Sequence, residues 1–231
     1  MKRSLEKELM DYPSPPRELL EGELKNLRIL NRYLGGYRCA VRDLGRLIEQ
    51  HRLPEFSLLD VGAGSADIAS GIAGWARSKG LRAKIIALDI DPVAAMVAAD
   101  RVRHLREITV VRGDGTAPPF APASFDFVLA SQFLHHYSEE KIVELIKIWS
   151  TLARRAVIVS DLLRHPLAFH GIRGLTHLFT RNIMTLTDAP LSVARAFTLA
   201  EWRALFRQAA IGTVELTPVF PFRVAVRLDV R

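Results

Sequence analysis

The sequence predicts an α/β domain built on a mostly parallel sheet. Three observations carry that prediction. From Phe56 to about Leu162, short apolar runs alternate with helical windows, the rhythm of parallel strands joined by crossover helices. The first run ends at Asp60 and passes through Gly62-Ala63-Gly64 into a helical window, a strand-to-helix turn whose bare backbone can approach a ligand closely. Asp89 and Asp114 then stand at or just beyond the ends of the next two runs.

The elements follow in order. After "PSPP" at 13–16, which should turn the chain, Leu20, Leu24, Leu27 and Leu34 recur at helical spacing, and Gly35-Gly36 interrupts the pattern. A second helix is expected over 37–50, with Val41, Leu44 and Ile48 on one side and Pro54 ending it. Strands are expected at "FSLLDV", "AKIIALDI", "ITVVRG", "FDFVLAS" and "RAVIVSDL", with helices at 66–79, 92–104 and 138–152 between them. Asp91-Pro92 has the form of an N-cap followed by proline at the first helical position. The stretch 162–190 has no strand periodicity and is expected to be an inserted helical segment. Thr198 and Glu201 then form a capping-box pattern at the head of a helix over 198–210. "GTVELTPV" and "FRVAVRLD", turning around 218–221, complete the sequence as an antiparallel hairpin.

Length and composition support a single domain over 1–231, since 49% apolar residues supply a sizeable core. Within it the expected parts are an N-terminal helical extension and lid (1–54), a cofactor-binding half (55–160), a helical insertion forming an acceptor lid (161–197), and a closing helix with hairpin (198–231). No apolar run approaches the roughly 20 residues that span a bilayer. "MKRSLEKELMDYP" mixes charge signs without a secretory core, so it reads as mature sequence and the chain is expected to be cytoplasmic. The single cysteine, Cys39, can form neither an internal disulfide nor a thiolate metal cluster, and it is expected to pack within a helix.

The net charge is +7, yet Lys and Arg are scattered and no basic run of five occurs. A solvated basic surface therefore fits better than a nucleic-acid footprint. The glycine turn suits a nucleotide-type ligand, but a dinucleotide fingerprint would end in a third glycine where Asp67 stands. Asp89 could accept both ribose hydroxyls, and Asp114 in "RGDGTAPPF" could take an exocyclic amine, although an Asp-Gly turn alone would explain it.

With "LLDVGAGSADIA", "ALDIDP", "RGDGTAPPF" and "FDFVLASQFLHHY" in this order, the chain resembles the class I S-adenosylmethionine-dependent methyltransferases over about residues 56 to 160. The resemblance implies a doubly wound, seven-stranded, mostly parallel sheet of Rossmann-like type with its last strand antiparallel. It implies S-adenosylmethionine as cofactor and S-adenosylhomocysteine as product. The methionine moiety would lie along Asp60, Gly62, Ala63 and Gly64, the ribose on Asp89, and the adenine near Ile90, Asp114 and Gly115. Ser131 and Gln132 would approach the reactive methyl. One departure from the family pattern is Ala66, where many members carry a third glycine. A positive sulfonium gives the acidic edge a physical use that a pyrophosphate would oppose.

Such a resemblance implies methyl transfer to a small, largely apolar acceptor, at oxygen of a phenol, enol or quinol. A positioned histidine would raise the fraction of reactive oxyanion, and His136 and His170 are the candidates for that base. His135-His136 shows no carboxylate or cysteine at ligand spacing, so no metal site is expected. Arg32, Tyr33, Arg173 and Arg195 could grip a cofactor carboxylate or an anionic acceptor, with surface salt bridges as the plainer role. The chain is expected to act as a monomer or homodimer. Two other readings stay open: a methyltransferase acting on RNA or another macromolecule, and a non-catalytic nucleoside-binding partner subunit. A nicotinamide oxidoreductase fits least, because the glycine fingerprint lacks its G-x-x-G ending and no substrate domain is expected.

Overall fold

A computed structural model describes residues 1–230. Its centre is a seven-stranded sheet in the order β3-β2-β1-β4-β5-β7-β6. The strands are β1 (Glu55–Val61), β2 (Arg82–Asp89), β3 (Ile108–Arg112), β4 (Phe125–Ser131), β5 (Ala153–Leu162), β6 (Thr213–Val219) and β7 (Arg223–Asp229). β1 to β5 pair in parallel, whereas β7 runs antiparallel to both β5 and β6. The order reverses between β1 and β4, so the crevice beyond their carboxyl ends is where such a sheet receives a ligand.

Strand alternation builds a core on each face. Leu59, Val61, Val128, Ala130, Val157 and Val159 pack on one side under α5 (Glu139–Leu152) and α8 (Leu199–Ala209). Leu58, Ile85, Ala87, Phe127, Leu129 and Ile158 pack on the other, against α2 (Gly36–Gln50), α3 (Asp67–Ser78) and α4 (Pro92–Val102). Both faces are therefore covered, and the expected doubly wound architecture is present. Cys39 is fully buried in α2, in the packing role expected of it.

N-caps start two helices where the sequence placed them. Asp91 Oδ1 accepts from the backbone N–H groups of Val93 and Ala94, both at 2.8 Å, ahead of Pro92. Thr198 and Glu201 complete their reciprocal capping box at the head of α8.

The insertion is a pair of helices, α6 (Pro166–Phe179) and α7 (Ile183–Arg195), whose base is closed by a parallel bridge between Leu163 and Phe197. The two differ sharply in burial. α6 buries only Thr176, whereas α7 buries Met184, Thr185, Asp188, Ala189, Pro190, Val193 and Arg195. α7 is thus anchored, and against it lie α1 (Arg17–Tyr33) and a 3-10 turn at Leu9–Asp11. That turn is fixed by Asp188, whose carboxylate accepts from Leu9 N at 2.8 Å and Met10 N at 3.0 Å. Ser4 N donates to Ala194 O at 3.0 Å. These bonds draw the first residues of the chain across the carboxyl edge of the sheet.

Candidate functional site

The glycine turn is held by its neighbour strand: Gly62 N and Ala63 N both donate to Leu88 O, at 2.9 and 3.0 Å. Gly62 and Gly64 adopt φ of +67° and +53°, a region that side chains disfavour. A Cβ on Gly62 would also stand 2.2 Å from Phe133 Cδ2. Ala66, where the third glycine is missing, takes φ +54° at the N-cap of α3, at a cost of about 1 to 2 kcal/mol. The turn therefore keeps its left-handed shape without that glycine.

Asp89 organises the rim. Its Oδ2 accepts from Gly64 N at 2.7 Å and its Oδ1 from Asp91 N at 2.9 Å, and the residue lines the cavity with acceptor capacity to spare. Asp60 is buried at 2% exposure, and its Oδ2 has no partner. Burial, then the neighbouring Asp67 and Asp89, push its pKa well above the usual carboxylate range. Asp114 is partly committed to its own turn, accepting from Thr116 N at 2.7 Å and Thr116 Oγ1 at 2.9 Å. Gln132 follows β4 with φ +53°, and its side-chain amide donates to Asn31 Oδ1.

All ten residues expected at the cofactor line one cavity of about 520 Å³: Asp60, Gly62, Ala63, Gly64, Asp89, Ile90, Asp114, Gly115, Ser131 and Gln132. Its wall also carries Glu8, Asp11, Glu23, Asp67 and Asp91, and no Lys or Arg. Such a wall favours a cationic ligand. Two further groups on this wall are shifted upward. Burial raises Glu23 to about 7 despite the Thr185 hydroxyl donating to it. Burial and nearby acids push the Tyr137 phenol up to about 12.

A second cavity of about 210 Å³ adjoins the first and shares Leu27, Gln132 and Ser192 with it. Its lining is mostly apolar, from α1 (Leu30, Leu34), α6 (Leu167, Ile172, Leu175), α7 (Ala189, Val193) and Phe222 before β7. The sequence suggested a lid from these segments; the structure brings them together around one pocket.

The histidines separate. His136 lines the larger cavity, with Nδ1 2.8 Å from Asp11 Oδ1 though poorly aligned for a hydrogen bond. His170 is exposed on α6 and lines neither cavity, so the geometry gives it no route to a ligand there. His135 is buried, its Nδ1 2.7 Å from Asp161 Oδ1 and its Nε2 3.5 Å from Glu8 Oε1. Burial alone would lower the His135 pKa, but Asp161 and Glu8 overcome it and hold the imidazole at about 10.

The sequence showed no carboxylate beside this histidine pair; the fold supplies three. Glu8 and Asp11 come from the N-terminal segment, and Asp161 from β5. Glu8, His135 and His136 thereby offer ligand atoms within 4.8 Å of one another. The same cluster holds Arg195, whose Nε lies 3.8 Å from Glu8 Oε1 and whose Nη1 lies 2.8 Å from Asp11 Oδ2. Positive charge is thus already present there, and the cluster reads as an ion-pair network pinning the N-terminal segment. Of the other residues expected to grip an anion, Arg32, Tyr33 and Arg173 are exposed and line neither cavity.

Residues that the sequence reading missed are Glu8, Asp11, Glu23, Asn31, Asp67, Phe133, Tyr137 and Ser192. Asp67 had a local signal, being the first helical residue after the glycine turn. Glu8 and Asp11 had none, because their partners lie more than a hundred residues away.

Comparison with known proteins agrees with this architecture. Residues 58–155 match a family model described as a methyltransferase domain. No curated protein sequence matches the chain. Among solved structures, human N-acetylserotonin methyltransferase, crystallised with S-adenosylmethionine, superposes with a TM-score of 0.62 at 19% identity, over 92% of this chain and 55% of that one. An S-adenosylmethionine-dependent methyltransferase from Aquifex aeolicus has a TM-score of 0.62 at 15% identity, over 91% of this chain and 98% of that one. An O-methyltransferase family 2 protein from Planctomyces limnophilus, in complex with apigenin, has a TM-score of 0.55 at 19% identity, over 76% and 50%. This chain therefore spans about half the length of the human and Planctomyces proteins and nearly all of the Aquifex one. At such identities these likenesses concern the fold.

Proposed function

We propose that this chain binds S-adenosylmethionine in the larger cavity and transfers its methyl group to oxygen of a small, apolar acceptor seated in the smaller one. The observation that carries this reading is the shared wall: an acidic cavity and an apolar cavity meet at Leu27, Gln132 and Ser192. The donor's chemistry fits the first. Its sulfonium and ammonium suit a carboxylate-rich wall without Lys or Arg, and the unpartnered Asp60 Oδ2 would accept from the ammonium. The free lone pairs of Asp89 would take the ribose hydroxyls, while Ile90, Asp114 and Gly115 would border the adenine.

When bound, the cofactor supplies an electrophilic methyl on sulfur. The chain's residues then have two tasks. One is alignment with exclusion of water, worth ~7 to 11 kcal/mol when complete; the N-terminal segment from Glu8 to Ser14, which lines the cavity, serves that end. The other is to remove the acceptor proton. Asp11 beside Nδ1 would orient His136 and leave Nε2 as the base, contributing typically ~10² to 10⁴-fold. The small apolar cavity favours a compact acceptor over RNA.

Calorimetry tests the first part: both S-adenosylmethionine and S-adenosylhomocysteine are expected to bind, and no binding of either at millimolar concentration rejects it. Labelled methyl transfer to a panel of phenols and enols tests the second. Transfer to RNA alone, with steep salt dependence, would replace the small acceptor by a macromolecule.

A further inference from the structure

We propose that Arg223, the first residue of β7, binds a ligand carboxylate at the partition between the two cavities. The inference rests on the two-cavity reading above and starts from an unbalanced charge. Arg223 is buried at 2% exposure, and among the described residues no carboxylate pairs with it. The other two deeply set arginines differ. Arg195 meets Asp11 at 2.8 Å and Arg164 meets Glu201 at 2.6 Å. A guanidinium removed from water needs a charged partner or a full set of hydrogen bonds to offset its lost hydration.

Arg223 has neither. Its Nε donates to Leu34 O at 2.7 Å, its Nη2 reaches Asn31 Oδ1 at 3.3 Å and Gln132 Oε1 at 3.4 Å, and its Nη1 has no partner. Ser131 Oγ and Ser160 Oγ are likewise buried without partners. The register Ser131–Ser160–Ala225 puts both hydroxyls on the sheet face used by Arg223, two residues before Ala225. This corner of the sheet therefore holds a buried guanidinium N–H and two hydroxyls that no protein group satisfies.

Its position gives the deficit a meaning. Asn31 lines the acidic cavity, Leu34 the apolar one, and Gln132 both. Arg223 itself lines the apolar cavity and not the acidic one, so the geometry favours the acceptor as the source of the carboxylate. A mostly apolar pocket with one fixed charged group orients its ligand by that group, and the unpartnered Nη1 would give a carboxylate a charge-assisted hydrogen bond. The acceptor would then be an apolar acid, entering with its carboxylate toward Arg223.

The test uses the full chain saturated with S-adenosylhomocysteine, titrated calorimetrically with 2-naphthoate against 2-naphthamide and benzoate against benzamide. The parent is expected to bind the acids at least tenfold more tightly than the amides. Arg223→Lys is expected to keep part of that preference, and Arg223→Met to abolish it. The ratio of acid to amide affinity is a readout that a purely structural role for Arg223 would leave unchanged. A second arm compares S-adenosylmethionine with its decarboxylated analogue; a preference lost only there on substitution assigns the carboxylate to the cofactor. Absence of any acid preference in both arms, failure of every probe to bind, or a preference surviving in Arg223→Met overturns the proposal. Should Arg223→Met not fold, the parent and Arg223→Lys ratios decide. Binding of S-adenosylhomocysteine to the parent, measured beforehand, keeps the methyltransferase reading separate from this one.

Discussion

Replacing Asp89 by asparagine removes one charge and almost no volume, which isolates the rim's hydrogen-bonding role. In the parent, each carboxylate oxygen accepts from a backbone N–H, Gly64 at 2.7 Å and Asp91 at 2.9 Å. An amide can satisfy only one of them. Its NH₂ would face the other N–H, so the glycine turn would have to shift or lose that bond. The ribose hydroxyls would meet one neutral acceptor and one donor in place of two charged acceptors. Hydrogen bonds to charged groups contribute about 1.5 to 3 kcal/mol and neutral ones about 1, so the expected loss is about 2 to 4 kcal/mol. At 1.4 kcal/mol per decade, affinity should fall ~30- to 1,000-fold. Calorimetry with S-adenosylhomocysteine measures this without the sulfonium's long-range attraction to the acidic wall. An affinity within threefold of the parent, with the unfolding midpoint unchanged, would show that Asp89 does not hold the ribose.

Three further outcomes follow from the same geometry. Asp11→Asn and His136→Gln should each lower kcat ~10² to 10⁴-fold while leaving S-adenosylhomocysteine affinity within a few-fold, and the double variant should be little worse than either; full turnover in His136→Gln removes it as the base. His135 is held at about 10 in the fold against an ordinary value of 6.5. Its stabilising contribution is therefore complete below pH 6.5 and lost as pH rises toward 10. Denaturant titrations should show stability falling across that window, less steeply in His135→Gln; equal slopes in the two proteins would contradict a charged His135. Finally, because Arg195 and His135 already pair with Glu8, Asp11 and Asp161, a chelator should leave methyl transfer unchanged, whereas loss restored by a divalent ion would make Glu8, His135 and His136 a metal centre.

The sheet and its cofactor edge were legible because their signals are local. An apolar run followed by Gly62-Ala63-Gly64 dictates a strand and a left-handed turn within a few residues, whatever surrounds it. Asp89 and Asp91 could be told apart by position alone, one ending β2 and the other capping α4. The histidines could not. His136 and His170 are equally plausible bases on paper, and only packing shows that one lines a cavity beside Asp11 while the other faces solvent. The insertion was readable as helical, yet nothing in its composition separates the anchored α7 from the thinly buried α6.

The amino-acid sequence by itself determined the alternating strands and helices, the glycine turn and the acids at the strand ends, since each depends on backbone preference and periodicity over short spans. The tertiary structure alone decided which distant groups meet: Glu8 and Asp11 with His135, His136 and Arg195, and the two cavities across Gln132. It also left Arg223 buried without a counter-charge. The physical reason is range. Backbone geometry is fixed by neighbours in the chain, whereas burial and charge pairing depend on elements a hundred residues apart packing on one edge of a sheet.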